Sequence, residues 1–160
     1  MTDVSPLQKR FVSLMESIAR AEGISPNAGR ILGYLIMQEN PVSFADLAHQ
    51  LKISRGSVSE NTCLLIEHGV IRRVQVPGKR GDAFEVRQDA SAALLERRRR
   101  MTLEVIADLN EMQNELPEAS FQRERMQGFE QFLTASLIAA DVLEEKIFPQ
   151  KDKQKEKKNT

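Results

Sequence analysis

The sequence is poor in cysteine and in large aromatic rings: it has one cysteine, Cys63, no tryptophan and only 5% aromatic residues. A single cysteine excludes an intramolecular disulfide and any metal site built from several cysteines. Apolar residues still make up 41% of the chain, which is enough for a globular core. We therefore expect a core of leucine, isoleucine, valine, methionine and a few phenylalanines.

Long apolar runs are also missing, and none approaches the length needed to cross a bilayer. The N-terminal residues lack the apolar stretch of a secretory signal, so we expect a cytoplasmic protein without a membrane partner. The chain has no glycine-rich phosphate loop and no serine nucleophile elbow. His49 and His68 fall in different predicted helices without an evident third ligand. We therefore predict no enzymatic activity, no cofactor and no metal site.

The formal net charge is zero, but the charges are unevenly distributed along the chain. Residues 43–87 carry seven basic and five acidic side chains, whereas residues 89–148 carry seven basic and twelve acidic ones. The segment 149–160 has five lysines and low complexity, which predicts a disordered Lys-rich tail. A mildly basic middle segment gives weak support for nucleic-acid binding.

Residues 25–88 have the pattern of three short helices followed by a β-hairpin. Ser25, Ser43 and Ser54 are suited to the N-caps of the three helices, and Gly69 is suited to the end of the third. Two β-rich runs then flank a turn at residues 77–82. This order is typical of a winged helix-turn-helix domain, in which one helix enters the major groove and the hairpin contacts phosphates or the minor groove.

The third of these helices begins with small hydroxyl residues, which let a phosphate approach its first amide groups. A step of about 100° per residue from a buried Val58 puts Ser57, Glu60, Cys63 and Leu64 on the opposite face. The run Arg97–Arg100 points around its helix, so we interpret it as a solvated or salt-bridged stretch. The predicted DNA contacts are Ser54, Arg55, Gly56, Ser57, Ser59, Glu60, Asn61, Arg73, Lys79 and Arg80.

Both ends of the chain are predicted to form helices with an apolar face that needs a partner. One helix lies in residues 1–24; two more lie in residues 89–148, divided by Pro117, with the last at about Glu118–Ile147. Leaving several large apolar side chains in water would cost about 10 kcal/mol, which disfavours a monomer. The predicted dimer interface consists of Leu7, Phe11, Leu14, Ile18, Phe129, Phe132, Leu133, Ser136, Ala140, Leu143 and Ile147.

Several segments of the predicted winged domain resemble the GbsR-like branch of the MarR family of transcription regulators. They lie at residues 28–35, 54–59, 64–65, 69–71 and 76–80, and the most specific is the run Ser-Arg-Gly-Ser-Val-Ser at 54–59. The resemblance implies a homodimer with interlocked end helices and two winged domains on a near-palindromic operator. It also implies a small-molecule effector between dimer base and winged domain. The wing tip departs from the family's Asp-x-Arg element, because Asp82 follows Arg80.

We therefore expect a mainly α fold with a small β-hairpin, in which a winged helix-turn-helix domain is flanked by N- and C-terminal dimerisation helices. The expected function is that of a bacterial, sequence-specific transcription repressor that binds double-stranded DNA as a homodimer and responds to a small molecule. Two alternatives stay open. Glu60 and Leu64 on the exposed helix face are compatible with a protein–protein interaction module, and Cys63 is compatible with a redox-sensing regulator.

Overall fold

The computed structural model describes residues 5–77 and 81–147. Within these ranges the chain is mostly helical, with one small sheet, and divides into two compact units, with the division between Ala93 and Leu94. The elements, in chain order, are α1 (Pro6–Ala21), α2 (Pro26–Ile36), β1 (Val42–Ser43), α3 (Phe44–Leu51), α4 (Arg55–Glu67), β2 (Ile71–Gln75), β3 (Asp82–Val86), α5 (Ala90–Asn114) and α6 (Phe121–Ile147). The predicted mainly helical, winged fold is confirmed. The expected tail at 149–160 lies outside the described residues.

Serine side chains define the starts of three helices in the first unit. Ser5 and Gln8 form a reciprocal capping box at α1, with Pro6 in its first turn. Ser43 accepts a hydrogen bond from the backbone N–H of Asp46 at α3, and Ser54 caps α4 in the same way. At the other end of α4, Gly69 has φ +71°, the left-handed conformation that glycine adopts without strain. The starts of α3 and α4 and the end of α4 are those that Ser43, Ser54 and Gly69 predict. Ser25 also lies at the N-cap of α2, but its side chain makes no capping hydrogen bond.

The sheet has three antiparallel strands in the order β1-β3-β2. Strand β3 pairs with β2 to form the predicted hairpin, and Val42 of β1 pairs with Phe84 on the other edge of β3. The sheet therefore joins the wing to the start of α3, because Ser43 ends β1 and caps that helix. Its central residue Phe84 is 1% exposed and belongs to a core with the other fully buried side chains, Ile31, Leu47, Ile71, Val58 and Thr62.

Helix α1 packs closely against α2 because two glycines of α2 face it. A Cβ atom on Gly29 would overlap the carbonyl oxygen of Met15, and one on Gly33 would lie 2.9 Å from the Met15 Cβ. This face of α1 buries Val12 and Ala19. The opposite face leaves apolar side chains of the predicted dimer interface exposed, namely Leu7, Leu14 and Ile18.

In the second unit, polar side chains join α5 and α6. Arg99 forms an ion pair with Asp141, and the buried Gln113 donates a hydrogen bond of 2.9 Å to Glu130. Helix α6 begins at Phe121 rather than at the predicted Glu118. The reason is that Ser120 caps it, because its Oγ accepts from the backbone N–H of Arg123. This agrees with the prediction of a solvated or salt-bridged run, since Arg99 is ion-paired while Arg98 and Arg100 are exposed.

No residue of α6 is buried, although the helix is rich in apolar side chains. Four large apolar members of the predicted dimer stripe are exposed, and Leu133 and Ala140 are half-buried. The exposed four are Phe129, Phe132, Leu143 and Ile147. Of the helices that the structure describes, none is both long enough and apolar enough to span a membrane.

Candidate nucleic-acid interface

The first turn of α4 carries several of the predicted DNA contacts and is largely exposed. Ser54 Oγ accepts from the Ser57 backbone N–H at 3.1 Å, so the cap leaves the earlier amide groups of the helix available. Arg55, Gly56 and Ser59 are exposed. A helix N-terminus with free amides and a positive dipole end can accept a phosphate oxygen.

Arg55 is exposed but not randomly oriented. Its guanidinium carbon lies 5.6 Å from the centre of the Phe44 ring, within cation–π distance. Phe44 is itself half-buried and packs against Phe84, with ring centres 6.5 Å apart. The core therefore fixes the ring, and the ring orients a positive charge beside the exposed start of α4.

The structure corrects the prediction that Asn61 reaches a base edge. Asn61 is 3% exposed and lies on the inward face of α4 with Val58, Thr62 and Leu65. Three helical steps from Val58 amount to about 300°, which is only about 60° from the core direction. Its Nδ2 donates to the Ser57 carbonyl at 2.7 Å, while its Oδ1 has no hydrogen-bond partner among the described residues.

Ser57 and Leu64 also differ from their predicted positions opposite Val58. Ser57 is half-buried, and its Oγ accepts hydrogen bonds from Asn27 Nδ2 at 2.9 Å and from Asn61 Nδ2 at 3.2 Å. Leu64 is half-buried and packs against the core. Only Glu60 and Cys63 of the predicted outer face are exposed. Leu64, the apolar residue on which the protein-interaction alternative rested, is therefore only partly exposed, and the redox alternative stays a prediction.

Both arginines of the first wing strand pair with acids of β3. Arg73 Nη1 lies 3.2 Å from Asp82 Oδ2, and its guanidinium carbon lies 6.0 Å from the centre of the Phe84 ring. Arg72 Nε donates to Glu85 at 2.6 Å. A DNA phosphate would have to compete with Asp82 for Arg73, so its DNA contact stays a prediction. Lys79 and Arg80 lie outside the described residues.

A cavity of about 510 Å³, which sequence reasoning missed, lies in the first unit between α1, α2 and the end of α3. Three cationic side chains, Lys9, Arg30 and Lys52, line it together with one carboxylate, Glu16. Lys52 is the C-cap of α3 and has φ 52°, the only non-glycine with positive φ among the described residues. A lysine in the left-handed region carries local strain, which is commonest at functional positions. No group of histidine, cysteine and carboxylate side chains in the described ranges could hold a metal ion.

Tyr34 lines this cavity and is the sole tyrosine of the sequence. Burial raises the pKa of its phenol above the ordinary 10.0, and the negative charge of Asp46 raises that pKa further. The folded state thus holds the phenolic proton more tightly than the unfolded state does. This stabilisation is complete below pH 10.0 and disappears as the pH rises through the higher folded-state pKa.

We predict that phenolate absorbance of the folded protein titrates at higher pH than that of the protein unfolded in urea. Tyr34→Phe should weaken the alkaline loss of stability, because the substituted side chain has no proton to release. Identical titration curves for the folded and unfolded chains would contradict this prediction.

Residues 22–80 match the sequence model of the MarR family. The HTH-type transcriptional regulator MmpR5 of Mycobacterium tuberculosis is 36% identical over 84 residues, which are 52% of this chain and 51% of the relative. The putative HTH-type transcriptional regulator YvaV of Bacillus subtilis is 24% identical over 89 residues, which are 56% of this chain and 50% of that protein. The chain thus spans about half the length of the curated relatives it matches.

The crystal structure of a transcriptional regulator is similar over a larger share of the chain. It covers 86% of this chain and 95% of its own, with a TM-score of 0.73 and 28% sequence identity. The matched segment at 22–80 contains α2, α3, α4 and β2, and therefore the exposed helix start described above.

Proposed function

We propose that this chain is a homodimeric repressor of the GbsR-like branch of the MarR family of winged-helix transcription regulators, whose sequence model matches residues 22–80. It binds double-stranded DNA at a near-palindromic operator. The observation that carries the proposal is the exposed first turn of α4, where Arg55 is oriented by Phe44. The GbsR-like assignment is supported by the run at residues 54–59, which forms this turn.

The surface of this turn suits close contact with DNA. Gly56 carries no side chain, and the nearest atom to a Cβ placed there is Ser54 Oγ at 3.8 Å, so the glycine leaves open surface rather than filling a packed site. Ser59 and Glu60 are exposed beside it and can reach base edges, where a carboxylate accepts from cytosine. Arg55 supplies charge-assisted contact to a phosphate or a guanine.

Exposed apolar faces on α1 and α6 support the homodimer. Leu14 and Ile18 on α1 are 54% and 46% exposed, and Phe129 and Phe132 on α6 are 50% and 64% exposed. Contiguous apolar faces of this kind mark an interaction surface on soluble proteins. We propose that a second copy of the chain covers these faces. A two-fold symmetric operator requires such a dimer, since each half-site then receives one winged domain.

We predict that Lys79→Ala with Arg80→Ala weakens binding to every DNA sequence and lowers the slope of log affinity against log salt. The slope should fall by up to about one unit for each phosphate that the variant no longer binds. The matched control is Arg98→Ala with Arg100→Ala, which removes two exposed arginines of α5. Fluorescence anisotropy over a salt series measures the slope. An unchanged slope in the wing variant would exclude the wing tip from the DNA interface.

The cationic cavity supports a small-molecule effector that carries negative charge. Neither Lys9 nor Lys52 belongs to an ion pair among the described residues. The volume of the cavity, about 510 Å³, is in the range of small-molecule sites. A ligand there would lie between α1 and the turn that precedes α4. It could therefore affect the position of α1, which carries part of the proposed dimer interface, and of α4, which carries the proposed DNA contacts.

We predict that hexanoate, a small carboxylate with an apolar tail, raises the melting temperature and that Lys52→Gly removes this shift. Glycine adopts φ 52° without strain, so the variant should remain folded without the lysine charge. The control for the removal of one lysine is Lys146→Ala on α6. Alanine is used there instead of glycine, because glycine would destabilise the helix. A full hexanoate shift in Lys52→Gly would contradict a role for Lys52.

A further inference from the structure

A polar relay runs through the first unit to the start of α4. At its centre, Asn27 of α2 donates from Nδ2 to Ser57 Oγ at 2.9 Å and accepts at Oδ1 from Arg30 Nη1 at 3.1 Å. The Asn27 amide therefore makes two hydrogen bonds: its NH₂ group bonds to α4 and its oxygen bonds to Arg30. Because Ser57 also accepts from Asn61, two amide groups converge on one hydroxyl.

Arg30 extends the relay to two further helices. Its Nη2 donates to the carbonyl oxygen of Leu51, the last residue of α3, and its Nε lies 3.9 Å from Glu16 Oε2 on α1. The carbonyl groups of a last helical turn have no partner within the helix, so this hydrogen bond ties the end of α3 to α2. The Arg30 guanidinium thus contacts α1, the end of α3 and the Asn27 amide, which in turn is hydrogen-bonded to α4.

The relay supplies directional contacts that the core does not. Val58 and Leu65 hold α4 by apolar packing, which is non-directional and compatible with small rotations of a helix about its axis. The hydrogen bond from Asn27 to Ser57 requires one rotational setting, since it weakens steeply away from linear geometry. Ser57 lies in the same turn of α4 as the exposed Arg55 and Ser59.

We propose that Asn27 and Arg30 are positioning residues for DNA recognition, which set the rotation of α4 so that its exposed side chains meet the base edges. The proposal rests on the proposed function. Neither residue needs to touch DNA, because Asn27 acts through Ser57 and Arg30 acts through Asn27 and the Leu51 carbonyl. Binding to random DNA depends on charge and not on this rotation, so it should not depend on Asn27.

The test compares Asn27→Ala with the unchanged protein on DNA from upstream of its own gene and on a scrambled duplex. We expect affinity for the upstream DNA to fall about tenfold or more, and affinity for the scrambled duplex to stay within about twofold. The control is Asn40→Ala, the same substitution at an exposed asparagine of the same unit. Thermal unfolding, measured in parallel, shows that each variant is folded at the assay temperature.

Two further variants separate positioning from other roles. Asn27→Asp should recover most of the preference for the upstream DNA, because its carboxylate can accept from the Ser57 hydroxyl and still pair with Arg30. Ser57→Ala in the Asn27→Ala background should weaken binding little further, since both changes break the same hydrogen bond. Additive effects would show that Ser57 contacts DNA independently of Asn27, and would overturn the relay.

The outcomes distinguish the relay from the function on which it rests. If the unchanged protein prefers its upstream DNA and Asn27→Ala keeps that preference, the relay is wrong and the function stands. If the unchanged protein shows no preference between the two duplexes, the proposed function itself fails.

Discussion

Gly29→Ala is expected to destabilise the protein by about 2 kcal/mol, which is the reverse of what alanine does in most helices. The added Cβ would overlap the Met15 carbonyl oxygen and would lie 2.7 Å from the Ala19 Cβ. The first is a backbone atom and the second is bonded directly to the backbone, so neither can rotate away. Helices α1 and α2 would have to separate, and the packing of Val12 against the core would loosen.

Gly128→Ala provides the matched control for this prediction. Gly128 lies inside α6, and an added Cβ there meets no atom within 4 Å. Alanine should therefore stabilise that helix by up to about 1 kcal/mol. Urea unfolding of the two variants measures the difference. Equal free energies of unfolding in both variants would contradict the close approach of α1 to α2.

Phe132→Glu is expected to convert the proposed dimer to monomers and to reduce affinity for the proposed operator about 100-fold or more, since two linked domains bind far more tightly than one. Phe132 is 64% exposed in the single chain, so the change should cost a monomer little stability. In a dimer it would bury an unpaired carboxylate, which costs several kcal/mol. Analytical ultracentrifugation gives the mass, and fluorescence anisotropy gives the affinity.

Ile138→Glu is the control for Phe132→Glu. Ile138 is 61% exposed on the same helix but lies on the other side of it from the stripe of Phe129 and Leu143. We expect this variant to remain dimeric and to bind DNA. A Phe132→Glu protein that stays dimeric, or an Ile138→Glu protein that also dissociates, would contradict the interface predicted from the stripe.

Local signals in the sequence predicted the framework of the winged domain. Ser54 marks the start of α4 and Gly69 marks its end. Both could be predicted because a cap hydroxyl and a left-handed glycine act on residues within one helical turn. The predicted start of α6 was wrong by one turn, because Ser120 is a better cap than the residues before it and ends the turn after Pro117.

The candidate site was predicted less completely, because its side chains are arranged by contacts between distant segments. The helical step alone placed Ser57 outward, but Asn27 lies thirty positions earlier in the sequence and draws its hydroxyl toward α2. No local pattern indicates that pairing. The same step, counted from Val58, places Asn61 on the buried face, as the structure has it. The cavity beside Lys52 is formed by residues of three helices that are distant in the sequence, so no local sequence pattern predicts it.

The most direct measurement of sequence-specific binding uses the full chain with DNA from upstream of its own gene and with a scrambled duplex, over a salt series. We predict a preference for the upstream DNA that persists as salt rises, with two chains bound per site. Salt should weaken binding to both duplexes, because phosphate contacts contribute to each. Equal affinity for the two duplexes at every salt concentration would contradict the proposed regulator.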